Sequence, residues 1–259
     1  MTEGTPTDPL DAHLVAASED LARHSPRTAL LARGDGVAVA AAGVSGQPFN
    51  VGWVVGQPHD PHAAVGWLRD VLAGTGRPYS VQVPEPFLPA VAEALAAHGL
   101  TASGPMPGMV RPATEDVPQL PPGLRIVRVA DEAELVAHAV AVGTGFGAPD
   151  PRAMTDVLVP SLLADPSVAM FSGYVDGAPE PVATSVCAVA EGMAGIYAVT
   201  AHEPVRRRGI GAALTWAAVA AGARLGAPLA ALQASELGEP VYRRMGFETV
   251  RTYHRFVAG

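Results

Sequence analysis

Apolar positions along the chain switch between two periods, and each switch marks an element. Leu10, Leu14, Val15, Ala17 and Leu21 share a helical face that Pro26 closes. Extended runs over 28–32 and 37–42 flank Gly34-Asp35-Gly36, a hairpin signal. The pattern then predicts a strand over 50–55, a helix over 61–73, a strand over 79–83 and a helix over 87–98 stopped by Gly99. Residues 100–110 read as extended. A proline-rich stretch, 112–122, carries no period and reads as a linker. Beyond it come a strand over 124–129, Asp131 as the cap of a helix reaching about Val142, and a second helix over about 152–163, interrupted late by Pro160. Strand-like runs at 168–175, 181–190 and 193–200 follow, with tight turns at Asp176-Gly177 and Glu191-Gly192. A helix over 211–225, a strand over 228–234, a short helix near 239–244 and an extended segment over 248–257 complete the chain.

The same order, hairpin, strand, helix, strand, helix, strand, occurs twice. Gly99 matches Gly246 and Pro78 matches Pro228 at nearly equal separations, a weak internal repeat. The division predicted from it is 1–117 and 118–259.

The halves differ where a strand hands over to a helix. In the second half, Val199-Thr200-Ala201 ends a strand, and Arg206-Arg207-Arg208-Gly209-Ile210-Gly211-Ala212 leads into an alanine-rich helix. The first N–H groups of a helix lack intrahelical partners and carry partial positive charge. Gly209 and Gly211 let a phosphate approach them, and the arginines add full charges. This loop therefore reads as a pyrophosphate site. No Lys-Ser/Thr follows the last glycine, so it is not a Walker loop, and it lacks the three-glycine dinucleotide fingerprint. At the matching place the first half has Gln57-Pro58-His59-Asp60-Pro61-His62, without Gly-x-Gly and with an acid that repels phosphate.

Arg206-x-x-Gly209-x-Gly211 resembles the acetyl-CoA loop of the GNAT N-acetyltransferase superfamily. Ser235 through Tyr242-Arg243-Arg244-Met245-Gly246-Phe247 resembles that family's helix ending in Tyr-x-x-x-Gly-Phe. The likeness covers about 123–257. It implies an α/β chain of two tandem GNAT-like units, each a twisted mixed sheet flanked by helices, the first a degenerate copy without cofactor. It implies acetyl-CoA as acyl donor, held by Val199, Thr200 and Ala201 of the strand, by Arg206, Arg207, Arg208, Gly209, Ile210, Gly211 and Ala212 of the loop, and by Ser235, where the family commonly has asparagine. A bulge near Val199 would splay the strand to admit pantetheine. Pro204 stands later in this loop than the family's proline.

The resemblance also implies transfer of an acetyl or short acyl group to a primary amine by direct attack in a ternary complex. Tyr242 is the expected general acid, because a phenol near ~10 can protonate a thiolate whose conjugate acid is near ~8.5. Position 95, matching Tyr242 in the first half, is a leucine. The base stays open: the strand over 193–200 has no carboxylate, and Glu191, His202, Glu203 or a water chain remain as candidates. The missing carboxylate leaves an alternative, a catalytically inactive acyl-CoA-binding or regulatory protein.

Composition changes this picture little. Hydrophobic residues at 49% against 16% charged suit packed cores, and the net charge of −8 argues against a nucleic-acid partner. The expected partner is a small-molecule or peptide amine. No apolar run approaches membrane-spanning length, and the first residues lack a secretory pattern, so the expectation is a cytoplasmic protein. The lone Cys187 suits a reducing compartment and reads as a small buried hydrophobe. His59-Asp60-Pro61-His62 reads as a turn before a helix and not as a metal site. Trp53, Trp67 and Trp216 read as core aromatics, the last packed on the sheet. Oligomeric state is not legible.

Overall fold

The computed structural model describes residues 6–258. They form six helices, α1 (Pro9–His24), α2 (Pro61–Ala73), α3 (Leu88–Ala97), α4 (Glu132–Gly145), α5 (Ile210–Arg224) and α6 (Glu239–Arg244). The strands are β1 (Leu30–Gly34), β2 (Val37–Ala41), β3 (Asn50–Val54), β4 (Ser80–Pro84), β5 (Leu100–Pro112), β6 (Leu124–Arg128), β7 (Val168–Val175), β8 (Ala183–Ala190), β9 (Met193–Ala201), β10 (Leu229–Gln233) and β11 (Glu248–Ala258). One predicted element is corrected. Residues 152–163 form two 3-10 turns, Pro151–Asp156 and Pro160–Leu163, in place of a helix. Val157, Leu158 and Val159 are all buried, which no amphipathic helix face permits, and Pro160 lacks the N–H a continuous helix needs.

Contacts divide the chain into two units. Where the sequence suggests one cut after residue 117, the second unit holds Val110–Leu232 and Pro240–Glu248. The first takes the residues through Met109 together with Gln233–Glu239 and the chain from Thr249 on.

In the first unit the strand order is β1-β2-β3-β4-β11-β5. The meander β1-β2-β3 is antiparallel, and α2 crosses over to bring β4 parallel to β3, with Val51 opposite Ser80 and Trp53 opposite Gln82. The C-terminal strand β11 then pairs antiparallel with β4, Phe256 opposite Val81. Alternation explains why it fits. Phe256 joins Val39, Leu68, Val81, Val83 and Leu95 in the core under α2 and α3. On the other face Tyr253 is wholly buried and stands edge-on to Trp53 at 6.2 Å. Its hydroxyl donates to Asp11 of α1 (2.6 Å), and Arg251 donates to the other Asp11 oxygen (2.6 Å). Burial outweighs these two partners and raises the Asp11 carboxyl above its usual range.

The second unit runs β10-β9-β8-β7-β6. Strands β6 to β9 are an antiparallel meander, and α5 crosses over to bring β10 parallel to β9. Helix α5 lies close on the sheet: a Cβ at Gly222 would meet Ala194 Cβ at 2.2 Å, and one at Gly173 would meet Leu214 at 2.9 Å. Cys187 is buried beneath it, its thiol pushed up to about 12, as a packing role requires. His138 on α4 is also fully buried. Its Nδ1 lies 3.0 Å from Ser172 Oγ, its Nε2 has no partner among the described residues, and burial pulls its pKa down to about 4. No helix among the described residues is long and apolar enough to cross a membrane.

Candidate functional site

The site begins at an irregularity in β9. Thr184 of β8 faces Thr200, but Val186 faces Tyr197, so Ala198 and Val199 together stand opposite Ser185 alone. This is the bulge expected near Val199. It is held in place: Ala198 takes φ +50, a conformation costly for an L residue, and Thr184 Oγ1 donates to its carbonyl at 2.7 Å. Thr184 also shares a 2.8 Å hydrogen bond with Thr200. On the other edge, pairing with β10 runs from Met193↔Leu229 to Gly195↔Ala231 and, among the described residues, ends there. Beyond Gly195 the bulged half of β9 leaves its parallel neighbour, and the two strands part. Thr200 is overlain by the end of α4, where a Cβ on Gly145 would meet Thr200 Cβ at 2.4 Å.

After Ala201 the chain makes a 3-10 turn, Glu203–Val205, and enters α5. Arg207 (φ +61) and Gly209 (φ +77) are left-handed, so the chain turns sharply as it enters α5. Gly209 is the N-cap residue and supplies no side-chain cap; the first helical N–H with an intrahelical acceptor is that of Ala213, donating to Gly209 O at 3.0 Å. The N–H groups of Ile210, Gly211 and Ala212 precede it and face outward. A Cβ on Gly211 would meet nothing within 4 Å, so the space beside Gly211 is open. Arg206, Arg207 and Arg208 are exposed beside it. Arg206 also spends its Nε on Ala201 O (3.0 Å), pinning the loop to the strand end.

Tyr242 of α6 is brought to the same helix. Its phenol is close enough to Thr215, one turn beyond Gly211, to feel that hydroxyl, and Thr215 Oγ1 donates to Gly211 O at 2.9 Å. Burial raises the phenol's pKa, and the neighbouring Thr215 hydroxyl offsets this in part. Tyr242 thus holds its proton through neutral pH and is a weaker acid than the free side chain. Its ring meets Phe247 edge-on at 5.9 Å. Arg111 fixes this corner: its guanidinium lies 4.3 Å over the Trp216 ring and donates to Met245 O at the end of α6. Sequence reasoning missed Thr215 and Arg111. A threonine four residues after Gly211, in an otherwise alanine-rich helix, was the available signal for the first. Arg111 acts across more than a hundred residues of chain and left none. Trp216, expected on the sheet, instead lies under Arg111.

Other candidates resolve by position. Ser235 falls in the first unit, exposed, its Oγ accepting from Gly238 N (3.2 Å) in the turn before α6. Glu191 sits in the turn before β9, so the whole nine-residue strand, about 30 Å at ~3.3 Å per residue, separates it from the loop; it is no base for this site. His202 is tied down, with Nε2 at 2.9 Å from Ala141 O of α4. Glu203 is exposed in the 3-10 turn. In the first unit Asp60 caps α2 by accepting from Ala63 N (3.0 Å), and His59 pairs with Asp35 at 2.8 Å. Among the described residues no group of three or more metal-ligating side chains gathers.

No protein-family model matches the sequence, and no curated protein matches it. Solved structures do resemble the fold. A GCN5-related N-acetyltransferase from Kribbella flavida superposes with a TM-score of 0.72 at 22% identity, over 95% of this chain and 93% of that one. A GCN5-related N-acetyltransferase from Sphaerobacter thermophilus gives 0.63 at 17% identity, covering 97% and 93%. A tandem GNAT protein from the clavulanic acid biosynthesis pathway gives 0.57 at 15%, covering 96% and 94%. The chain has the GNAT fold over nearly its whole length.

Proposed function

We propose that the second unit is an N-acyltransferase that takes an acetyl or short acyl group from acetyl-CoA to the primary amine of a small molecule or peptide. One observation carries the reading: β9 is bulged and parted from β10 at the point where its loop delivers three outward N–H groups and three arginines at the head of α5. The fold is that of acetyltransferases, and this opening is what a long thioester cofactor with a pyrophosphate requires.

The residues present fit that cofactor. Open space beside Gly211 and left-handed turns at Arg207 and Gly209, at the head of a helix, suit a polyphosphate. Ile210, Gly211 and Ala212 would bind it through backbone N–H groups, and Arg207 and Arg208 through charge. Val199, Thr200 and Ala201, on the parted edge of β9, would hold the pantetheine arm. When bound, acetyl-CoA supplies the activated acyl group and the thiol leaving group.

The chain's own residues then orient and move protons. A bulged strand turns N–H groups away from its ladder, and one near Val199 is the donor this reading assigns to the carbonyl oxygen. Tyr242 Oη, kept protonated by burial beside Thr215, is the assigned proton donor to sulfur. With β9 lacking a carboxylate, the amine would lose its proton to solvent through water. Calorimetry with acetyl-CoA is expected to give one site per chain, and incubation with an amine panel to release free thiol. A stoichiometry of two would refute the single-site reading. One site with no transfer to any amine would leave binding without catalysis.

A further inference from the structure

The proline-rich linker is more than a connection. Residues 117–121 cross the outer face of α5 over its first two turns and roof a slot of about 240 Å³. Its floor is the stripe Gly209, Ala212, Ala213, Trp216 and Ala217, the i, i+3, i+4, i+7, i+8 face of the helix, and Ile126 of β6 closes one end. The slot begins at the cradle itself: Gly209 both caps α5 and lines the slot, and a Cβ there would stand 3.6 Å from Pro121 Cγ. Gly209, Ala212, Ala213 and Ala217 keep the helix surface low around the single large ring, Trp216, whereas Val117, Leu120 and Pro121 make an apolar roof.

We propose that this slot receives the adenosine end of the cofactor whose pyrophosphate the α5 cradle binds, so that the linker forms one wall of the cofactor site. The inference rests on the acetyl-CoA reading. Continuity is the first argument, since Gly209, at the head of the α5 loop, also lines the slot, so a ligand anchored there has a sheltered apolar surface directly beside it. Shape is the second: a flat, weakly polar base suits a narrow space between alanines and prolines better than an alkyl chain that fills it loosely. Charge is the third, because a ribose phosphate at the mouth would stand beside Arg206, Arg207 and Arg208, all exposed there. The linker backbone between Val117 and Pro121 is irregular, with N–H and C=O groups outside any ladder that can read the edge of a base.

Two ligands and two variants test this by calorimetry on the full chain. Acetyl-CoA carries the adenosine; S-acetyl-4′-phosphopantetheine lacks it. Wild type is expected to bind acetyl-CoA at least about ten-fold more tightly than the fragment, in line with the strength of base packing on protein surfaces. Ala217→Phe fills the slot from the helix side, and Leu120→Gly opens it from the linker side without touching α5 packing. Each should weaken acetyl-CoA and leave the fragment's affinity unchanged. Equal wild-type affinity for both ligands, variants that bind acetyl-CoA normally, or equal weakening of both ligands would each overturn the proposal. Failure of wild type to bind either ligand would overturn the cofactor reading beneath it.

Discussion

Helices α2 and α5 occupy the same place in the two units: each connects the last antiparallel strand of a meander to a parallel neighbour. Their entrances are built in opposite ways. The α2 entrance is filled by its own chain, since Asp60 accepts from Ala63 N and Pro61 removes a donor. The α5 entrance is left open, with glycine as cap and arginines around it. The strands before them differ likewise. Pairing of β2 with β3 runs without a shift from Val37↔Val54 to Ala41↔Asn50, and β3 stays paired with β4 as far as Trp53. Strand β9 is bulged and leaves β10 early. A fold used twice thus carries one closed and one open version of the same junction. A single carboxylate at the cap occupies one of the orphan N–H groups, and its negative charge repels an anion from the rest.

The comparison can be broken by closing the open junction. Gly211→Asp places a carboxylate in the open space beside Gly211 at the head of α5. At ~4 Å and an effective dielectric of about 20, each charge pair repels by about 4 kcal/mol, so acetyl-CoA affinity should fall on the order of 10³-fold. Melting should change little, because aspartate is favourable in a first helical turn. Normal calorimetric affinity in this variant would mean the loop is not the phosphate site.

Chemistry separates the units next, since Tyr242 in one corresponds to the buried Leu95 in the other. Tyr242→Phe is expected to lower the single-turnover acyl-transfer rate by about 10²–10⁴ and spare the acetyl-CoA titration. An unchanged rate would reduce Tyr242 to a packing residue against Phe247.

Acid should sharpen the contrast further. His138 in the second unit has its pKa lowered from 6.5 to about 4, so the unfolded chain binds the extra proton first. Its contribution is complete above about pH 6.5 and is lost as pH falls toward 4, on the order of 3 kcal/mol in all. Asp11 in the first unit is shifted the other way: its pKa is raised, so its contribution is present at low pH and lost as pH rises through the folded value. Amide exchange at pH 7 and pH 5 should therefore show α4 and β7 losing protection on acidification more than α1 and β11. The smallest effect is the reverse substitution at the closed junction. Asp60→Ala should cost about 1 kcal/mol by thermal melting, the usual value of such a cap, and leave acetyl-CoA binding untouched.

Much of this molecule follows from local chemistry alone. The switch of hydrophobic period marked all eleven strands of the described residues within about two residues, and Asp131, Gly99 and the turns at Gly36 and Gly192 announced themselves because caps and left-handed residues are dictated by their own side chains. The cradle of 206–212 was legible for the same reason: a glycine cap with flanking arginines needs no distant partner. What the tertiary structure decided is everything that pairs residues far apart. Strand β11 reads as the end of the second repeat but belongs to the first unit, because Tyr253, Arg251 and Phe256 find Asp11, Trp53 and Val81 there. Thr215 meets Tyr242, Arg111 holds Trp216 and Met245, and Thr184 holds the bulge at Ala198. Period and propensity describe a residue's neighbours along the chain. A hydrogen bond spanning tens of residues depends on which surfaces the packed sheet brings together, and that is set only once the core has formed.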